Sequence, residues 1–413
     1  MIVEFLGGCN EIGREAFLIK DLKNVLLEFG VKLQPEIELP IMPSVTLDSI
    51  IVTHAHLDHC GMVPLIYKTQ TPRLYVTPPT LDLMNLLLED YIKVAKLTRG
   101  FSEYNHRDIE KMNKNAKVFP YNHKIKLKKM SACFYDASHI PGSASIFIEG
   151  SKKIMYTGDI NTVETKLLDY KNIKYPKIDC LITESTYSNR EHPDRKKEEK
   201  KFIEKIKEYE NGLVLLPCFA IGRAQEILLI LEEYGIKGEI YLDGMAQKAA
   251  DLILYHKKYI KNPHLLKKIL RKIKFVRTKR QRDKIVREGG IVVSTSGMLN
   301  GGPAVYYLKK IRNNKNACVL LTGFQAEGTP GEKLLRTNYF ENEETKFKVN
   351  LEVKKFDFSA HAGKDELFDL IKRISPKKVI CVHGENTKKF SREIRNNLNI
   401  ETIAPRIGDN IEI

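Results

Sequence analysis

Short apolar runs separated by turn residues fill the first part of the chain. "MIVEFLGG", "AFLIKD" and "NVLLEFG" have the length and composition of β-strands, and "SIIVTHAH" begins as a buried strand. "PPTLDLMNLLLEDYIKVAKL" has apolar residues at helical spacing behind two prolines that suit a first helical turn. Strand patterns return in "KIKLKKMSACFYDAS", "SASIFIEG", "KKIMYTGDI" and "IDCLITEST". These elements predict an α/β sandwich rich in antiparallel strands.

The pattern changes from about Ser188. "EEKKFIEKIKEYE" is helical, "GLVLLPCF" is a buried strand and "GRAQEILLILEEYG" is a helix, and "GGIVVSTSG" and "NACVLLTGFQ" continue the series. Repeated strand and helix units are typical of a parallel sheet, so we predict a second domain of this kind. The chain ends in "KKVICVHGE" and a tail too short for a third domain.

Composition excludes several classes of protein. The chain has 413 residues, more than a usual single domain. Its longest apolar stretches are strand-length, far below the run of about 18 residues that a membrane span needs. The N-terminus lacks a basic region followed by a long apolar segment, and the seven cysteines form no C-x-x-C pair. We therefore expect a cytoplasmic protein without a membrane span.

The charge leaves two interpretations open. Lys plus Arg outnumber Asp plus Glu by 68 to 52, and basic clusters occur at 124–129, 195–201 and 267–282. A polyanionic partner would suit this excess. A lysine-rich surface with solvated charges would produce the same composition.

The candidate chemistry begins with four residues in six positions: His54, His56, Asp58 and His59. The strand before them ends at Thr53, so we expect them in a loop, where side chains converge on one point, with a helix from about Cys60. Imidazole nitrogens and a carboxylate suit zinc or a similar divalent metal. Burying them without metal would leave unpaired polar groups at about 1 to 3 kcal/mol each.

Three isolated residues extend this cluster. His139 in "DASHIPGSAS", Asp159 in "YTGDI" and His383 in "CVHGE" each follow a predicted strand beside a glycine or another small residue. A lone histidine at a strand end is more often hydrogen-bonded than a ligand. Together with the cluster, however, they make seven ligands, which fit two metals better than one. Asp159 is the natural bridge, because a carboxylate has two oxygens.

At this point the sequence resembles the metallo-β-lactamase fold, an αββα sandwich, with an inserted β-CASP α/β domain. "ITESTY" resembles β-CASP motif A, "FDFSAHAG" motif B and "CVHGE" motif C, so the likeness spans nearly the whole chain. It is strongest to archaeal relatives of the endonuclease subunit of the cleavage and polyadenylation specificity factor. The resemblance implies a metallo-β-lactamase domain at 1–187 and 356–413 and a β-CASP domain at 188–355.

The resemblance also implies roles for the candidate residues. One zinc ion would be held by His54, His56, His139 and Asp159, and a second by Asp58, His59, His383 and the shared Asp159. Glu184 and His361 would form the motif A and motif B pair, which together with Asp58 we assign to catalysis. His361 is the expected proton donor to the leaving oxygen, with Glu184 favouring its charged form. An ordinary buried ion pair is the alternative for Glu184 and His361.

Three positions depart from the family pattern: Glu28, Glu15 and Gly363, which ends motif B where an acidic residue is common. Glu28 stands where the family usually has Asp, and we expect it behind the ligands rather than among them. Glu15, in "GGCNEIGRE", replaces a small residue of a loop beside the cleft. We assign Glu15 no role.

Motif C suggests the substrate. A histidine there, His383, is associated with RNA substrates, whereas the DNA-processing branch has valine. We therefore predict a zinc-dependent ribonuclease that hydrolyses phosphodiester bonds of single-stranded RNA in RNA processing or decay, as an endonuclease, a 5′ to 3′ exonuclease or both. Arg223 and Ser296 lie near glycine-rich helix starts and are candidate contacts to RNA phosphates, although either could equally be a packing residue.

Two other classes of function stay open. One is a small-molecule metallohydrolase on the same fold, which would not need the insertion, the motif pair or the basic surface. The other is an RNA-binding subunit without catalysis, although such proteins usually lose metal ligands. For partners, the resemblance suggests a homodimer and RNA-processing or exosome-type proteins.

Overall fold

The structure is a computed structural model that describes residues 1–34, 36–170, 173–342 and 344–413. It divides into two compact units. Unit 1 comprises Met1–Glu164, Tyr170–Glu191 and Ala360–Ile413, and unit 2 comprises Thr165–Asp169 and His192–Ser359. The boundaries predicted from the sequence, after 187 and after 355, each lie four residues before the observed divisions at 191 and 359.

The secondary structure of the described residues alternates short strands with helices. The strands are β1 (Ile2–Phe5), β2 (Phe17–Lys20), β3 (Asn24–Leu27), β4 (Ser49–Ile51), β5 (Arg73–Val76), β6 (Ala116–Val118), β7 (Lys124–Leu127), β8 (Met130–Asp136), β9 (Ala144–Glu149), β10 (Lys153–Tyr156), β11 (Cys180–Thr183), β12 (Leu213–Pro217), β13 (Ile240–Asp243), β14 (Lys274–Val276), β15 (Gly290–Ser294), β16 (Ala317–Leu321), β17 (Tyr339–Glu341), β18 (Lys346–Lys348), β19 (Glu352–Lys355), β20 (Lys378–Cys381), β21 (Glu401–Ile403) and β22 (Asn410–Glu412). The helices are α1 (Leu57–Cys60), α2 (Val63–Ile66), α3 (Pro78–Arg99), α4 (His106–Asn115), α5 (Arg195–Lys207), α6 (Arg223–Glu233), α7 (Ala246–Tyr255), α8 (Pro263–Lys272), α9 (Lys279–Glu288), α10 (Gly302–Ile311), α11 (Pro330–Thr337), α12 (Lys364–Ile374) and α13 (Thr387–Leu398), with a 3₁₀ turn at Lys257–Tyr259. Within the described part of the chain, none of the helices combines the length and apolar composition that crossing a bilayer requires.

Two seven-stranded sheets form the core of unit 1. Their strand orders are β22-β1-β2-β3-β4-β5-β6 and β21-β20-β11-β10-β9-β8-β7. Fully buried side chains from the two sheets meet between them, with Phe17 of the first sheet 5.4 Å from the Tyr156 ring of the second in an edge-on contact. Sheets that bury one face against each other in this way form a sandwich.

Helices cover the outer faces of this sandwich. On the second sheet, Leu181 and Cys381 pack against Leu367 of α12 and Phe390 of α13. On the first sheet, α4 contacts β5, and α3 contacts α4. The αββα layering predicted from the sequence is therefore confirmed.

Unit 2 contains a six-stranded sheet in which every pair is parallel, in the order β14-β13-β15-β12-β16-β19. β12 is buried along its whole length, as a strand covered on both faces must be. Leu215 and Val292 of this sheet pack with Leu308 of α10 and Leu334 of α11. The predicted parallel sheet of the inserted domain is confirmed.

A single carboxylate fixes a short segment within unit 2. Glu226 of α6 accepts hydrogen bonds from the backbone N–H groups of Lys166 and Leu167, at 3.0 and 2.7 Å, and pairs with Arg195 at 2.5 Å. The Glu226 side chain is almost fully buried, so these bonds offset the cost of removing its charge from water. They explain why Thr165–Asp169 belongs to unit 2, which sequence patterning did not predict.

Thr77 joins the start of α3 to the loop that carries His139. Its Oγ1 caps the helix by accepting from the Thr80 N–H at 3.4 Å, and it donates to the Gly142 carbonyl at 2.7 Å. We expect Thr77→Val to lower the free energy of unfolding by about 1 to 3 kcal/mol, because both bonds are buried. Urea unfolding followed by circular dichroism measures this. Thr98→Val, at an exposed position of the same helix, should change it by less than about 0.5 kcal/mol; equal losses in the two variants would contradict the assigned role.

Candidate metal centre

The candidate residues of unit 1 follow the carboxyl ends of its strands. His54 comes after β4, His139 after β8, Asp159 after β10 and His383 after β20. β10, β11 and β20 run parallel, and β8 shares their direction because β9 is antiparallel to both β8 and β10. Strands that run in one direction end at one edge of the sheet, which brings distant parts of the sequence together.

Part of the histidine cluster is helical. We predicted a loop followed by a helix from about Cys60, but α1 already begins at Leu57 and contains Asp58 and His59. The Cys60 N–H donates to the His56 carbonyl at 3.0 Å, and the Gly61 N–H donates to the Leu57 carbonyl at 2.8 Å. This single turn places Asp58 and His59 against different neighbours from His54 and His56.

Four ligand atoms form a first group, which we name cluster 1: His54, His56, His139 and Asp159. His56 Nδ1 lies 3.1 Å from His54 Nε2 and 3.2 Å from His139 Nε2. Asp159 Oδ2 lies 3.4 and 3.5 Å from the same two Nε2 atoms. A tetrahedral ion with ligands at about 2.0 to 2.1 Å separates those ligands by about 3.3 to 3.4 Å, so cluster 1 has the spacing of a tetrahedral metal site.

The hydrogen bonds behind cluster 1 orient its imidazoles. His139 Nδ1 is 2.7 Å from the Ala360 carbonyl, so Nδ1 carries the proton and Nε2 presents a lone pair to the cluster. His54 Nδ1 is bonded to the Thr53 hydroxyl at 2.9 Å. Metal-binding histidines are generally held in this way through the ring nitrogen that does not bind the metal.

Five residues surround a second position, and we name them cluster 2. They are Glu15, Asp58, His59 and His383, together with Asp159, which contributes its second oxygen. His59 Nε2 is 3.3 Å from Asp159 Oδ1, and His383 Nε2 is 3.5 Å from Asp58 Oδ2. Among the described residues, five buried atoms of these side chains have no hydrogen-bond partner: Glu15 Oε2, His59 Nδ1, His59 Nε2, Asp159 Oδ1 and His383 Nε2. Such atoms cost free energy unless a cation pairs with them, so the donors of both clusters fit bound metal.

The two clusters differ in charge. Burial lowers the pKa of His54 to about 3 and that of His56 to about 4, so these imidazoles are neutral at pH 7. Burial also opposes the charged form of His383, but Asp159 and Glu15 outweigh it and raise the pKa to about 10. The pKa of His59 is raised in the same way by Asp159 and Asp58, against the effect of burial. The imidazoles of cluster 2 are therefore held next to carboxylates that favour their charged form, whereas those of cluster 1 are neutral.

Glu28 lies behind cluster 2, where the sequence analysis expected it. It is fully buried, and its Oε1 accepts the Thr53 N–H at 3.0 Å. The same oxygen is 3.8 Å from His59 Nδ1, on the side of the ring away from Asp159. Glu28 thus holds the turn before His54 and places negative charge next to His59.

Glu184 and His361 form a pair beside cluster 1. His361 Nδ1 lies 2.9 and 3.1 Å from the two Glu184 oxygens, and His361 Nε2 lies 3.9 Å from Asp159 Oδ2. The Glu184 carboxylate is buried, whereas 17% of the His361 side chain is exposed. Burial opposes the charged form of His361, but Glu184 and Asp159 outweigh it and raise its pKa. The pair can hold a proton on the His361 imidazole, at the partly exposed edge of cluster 1.

Arg223 and Ser296 belong to unit 2 and are not part of either cluster. Arg223 Nη1 donates to the Thr322 carbonyl, and Ser296 Oγ donates to the Gly301 carbonyl at 3.3 Å. These bonds give both side chains a structural role within unit 2. Their contact with RNA stays a prediction.

Glu15 was not among the site residues predicted from the sequence. The structure places its carboxylate in cluster 2 with no exposed surface. No motif of the sequence pointed to this position, because the residues that surround the Glu15 carboxylate come from distant parts of the chain.

Three family profiles match parts of the chain. They are described as the Beta-Casp domain, at 224–334, the Zn-dependent metallo-hydrolase RNA specificity domain, at 346–405, and the anti-Pycsar protein Apyc1, at 10–193. The chain is also 40% identical over 429 residues to the probable RNase MJ4 of Methanocaldococcus jannaschii, and the match covers 100% of both proteins. The chain belongs to the metallo-β-lactamase/β-CASP family.

Two further proteins are similar to this chain. RNase aCSPSF2 of Saccharolobus solfataricus is 34% identical over 425 residues, which cover 100% of this chain and 85% of that protein. A crystal structure of a protein of unknown function from Enterococcus faecalis has a TM-score of 0.65 at 15% identity and covers 99% of both chains, which shows the fold. With the zinc-dependent hydrolase profile and the two clusters, the β-CASP chain has a metal cofactor.

Gly30 tests whether the position of α1 determines metal binding. A Cβ at Gly30 would lie 1.6 Å from the Asp58 carbonyl oxygen and 2.8 Å from the His59 nitrogen, so Gly30→Ala must displace both residues. We expect the affinity for divalent metal to fall at least about tenfold. A loss of this size is the smallest usually found when residues that only support metal ligands are changed, and this substitution displaces two candidate ligands directly. Titration calorimetry with Zn²⁺ on metal-free protein measures this.

Gly301→Ala is the matched control, because a Cβ there meets no atom within 4 Å. It should bind metal as the wild type does. Tight binding by Gly30→Ala would mean that Asp58 and His59 do not hold the metal.

Proposed function

We propose that this β-CASP protein is a zinc-dependent ribonuclease that hydrolyses phosphodiester bonds of single-stranded RNA. The observation that carries the proposal is the shared position of Asp159. One of its oxygens faces cluster 1, the other faces cluster 2, and His361 Nε2 lies 3.9 Å away. The RNA specificity profile at 346–405 includes His361 and His383, and two of the most similar relatives are named RNases.

Two zinc ions would be held by seven residues. We assign His54, His56 and His139 to the first ion, and Asp58, His59 and His383 to the second, with Asp159 shared. Three neutral imidazoles and one carboxylate suit zinc at cluster 1. When bound, a pair of divalent ions supplies positive charge that polarises a scissile phosphate and lowers the pKa of the attacking water.

His361 would supply the proton for the leaving oxygen. Its Nδ1 is fixed on Glu184, so its other nitrogen, Nε2, points toward the centre, and its partial exposure lets it reach substrate. Because Glu184 and Asp159 raise its pKa, the imidazolium is present near neutral pH to act as a general acid. The resemblance noted above would give products with 5′-phosphate and 3′-hydroxyl ends. RNA processing or decay is the proposed setting.

Cleavage of end-labelled RNA tests the reaction. We expect wild-type protein to cleave RNA carrying a 5′-triphosphate or a 5′-monophosphate, and chelation of zinc to stop cleavage. Internal fragments indicate an endonuclease, and mononucleotides released only from monophosphate RNA indicate a 5′ to 3′ exonuclease. His59→Ala should abolish activity, because it removes a ligand. No cleavage by metal-loaded wild type would overturn the proposal, and full activity of His59→Ala would overturn the assigned centre.

His361→Ala tests the proton donor. We expect kcat to fall by about 10²- to 10⁴-fold, the usual contribution of a general acid, while bound zinc stays at the wild-type amount. Glu184→Gln should lower the pKa of His361. A general acid must be protonated, so activity is lost as pH rises through that pKa, and this loss should occur at lower pH in the variant. Measuring kcat between pH 5 and pH 9 (about the range in which histidine titrates) checks both.

The surface pair His106 and Glu89 provides a control, since its nitrogen and oxygen lie 2.8 Å apart and both side chains are largely exposed. His106→Ala should leave kcat and its pH profile unchanged. An unchanged kcat in His361→Ala would leave only the ordinary ion pair as an explanation for Glu184 and His361.

A further inference from the structure

We propose that Glu15 is a fifth protein ligand at the second metal position, beside Asp58, His59, Asp159 and His383. The inference rests on the two-metal centre of the proposed function and adds a residue outside the seven assigned ligands. It makes the two positions chemically unequal.

The backbone holds Glu15 rigidly against the other ligands. Its N–H donates to the Asp58 carbonyl at 2.9 Å, and its own carbonyl accepts the Gly30 N–H at 2.9 Å. The Glu15 main chain is therefore hydrogen-bonded both to the turn that carries Asp58 and to Gly30, in the segment that follows β3. A ligand fixed by its main chain needs little ordering when metal binds.

The Glu15 side chain points into cluster 2. Its Oε1 lies 3.7 Å from His383 Nε2, while its Oε2 has no hydrogen-bond partner among the described residues. The side chain has no exposed surface. A Cβ at Gly8 would lie 2.9 Å from Oε1, so the glycine leaves the space that this carboxylate occupies. A buried oxygen without a partner, next to two metal ligands, has the position of a ligand itself.

No basic side chain accounts for the Glu15 charge. Arg14 and Lys32, the nearest basic residues of this loop and its neighbour, pair with Glu11 and Glu38. Burial raises the pKa of Glu15 to about 8, and the groups that act on it next are the imidazoles and carboxylates of cluster 2. Burying a carboxylate among other carboxylates is unfavourable unless a cation joins them. Among the described residues, Glu15 Oε1 accepts a hydrogen bond from the Gly13 N–H at 3.3 Å while Oε2 has no partner, so a purely structural role would leave that buried oxygen unpaired.

The spacing of cluster 2 leaves room for an additional ligand. Cluster 1 has ligand separations of 3.1 to 3.5 Å, whereas those of cluster 2 extend from 3.3 Å to 3.9 Å, between His59 Nε2 and Asp58 Oδ2. Cluster 2 is thus the wider group of ligand atoms, and Glu15 Oε1 lies within its range of separations, at 3.7 Å from His383 Nε2.

The donor sets then differ in hardness. Position 1 would have three nitrogens and one oxygen, and position 2 two nitrogens and three oxygens. Imidazoles favour zinc, whereas carboxylates also suit harder ions such as Mn²⁺. Glu15 would thus let the second position accept Mn²⁺ more readily than the first.

Metal binding by Glu15→Gln and Glu15→Ala tests the inference without RNA. Metal-free proteins are dialysed against increasing Zn²⁺, and bound metal is measured by atomic emission. We expect wild type to bind two ions per chain, and both variants to keep the first while the second binds at least about tenfold more weakly. The absorption of Co²⁺-substituted protein should change only in the band of the second ion, toward the stronger absorption of four-coordinate cobalt. A merely structural role would not move that band.

Glu11→Gln is the matched control, because Glu11 lies in the same loop and pairs with Arg14 at 2.7 Å. It should bind both ions as the wild type does. Circular dichroism of the metal-free variants verifies that they fold. Equal affinity for the second ion in wild type and Glu15→Gln would overturn the inference and leave the ribonuclease proposal intact. A wild type that binds a single ion would overturn both. Loss of the second ion in Glu15→Gln, from a wild type that does not cleave RNA, would support the inference and contradict the ribonuclease proposal alone.

Discussion

The metal centre depends on the two oxygens of one buried carboxylate. Asp159 is only 2% exposed, and its Oδ2 faces the imidazoles of cluster 1 while its Oδ1 faces His59 of cluster 2. Two other carboxylates, of Glu15 and Asp58, and the five imidazoles of clusters 1 and 2 converge around it in the protein interior. Without cations, such a group would include buried polar atoms that lack partners, at about 1 to 3 kcal/mol each. Bound metal therefore offsets the free-energy cost of burying these polar groups. Loss of metal should destabilise unit 1 and also abolish the activity of the protein.

The sandwich brings these ligands together because strand ends from both sheets meet at one edge. The turn after β10 carries Asp159, and the turn after β4 carries His54. Gly158 allows the two turns to touch: it has a φ of +56°, and a Cβ there would lie 2.7 Å from the Thr53 side chain. Only glycine adopts this conformation at low cost and also leaves the contact free. The close approach of the two turns is thus set by contact between the Gly158 backbone and the Thr53 side chain.

Strand and helix patterning, together with the resemblance, predicted the layers of unit 1, the parallel sheet of unit 2 and the helix behind Thr77. These features follow from apolar periodicity, which the sequence shows directly. The start of α1 was predicted three residues late, because its first turn is held by backbone bonds to His56 and Leu57 and not by an apolar stripe. The unit boundaries were displaced by four residues, and Thr165–Asp169 was missed, since its place depends on bonds to Glu226 from a distant helix.

The histidines and Asp159 could be singled out because each follows a strand. Glu15 could not, because its role depends on a neighbour, Asp58, that lies 43 positions away (58 − 15) and meets it only in the fold.

Glu184 connects the proposed acid to the metal ligands. Its Oε1 accepts the Ile160 N–H at 2.6 Å, and its Oε2 accepts the Thr186 hydroxyl at 2.5 Å, in addition to its bonds with His361. Since the Thr186 hydroxyl donates to Glu184, its oxygen must accept the proton of His383 Nδ1, which lies 2.9 Å away. That direction leaves the lone pair of His383 on Nε2, facing Asp58 and Glu15. If Glu184 served only as an ordinary ion pair, His361 would be the only partner that it needs. In this wider network one carboxylate sets the tautomer of a cluster 2 histidine and also raises the pKa of His361, so the proposed proton donor and cluster 2 share a single anchor.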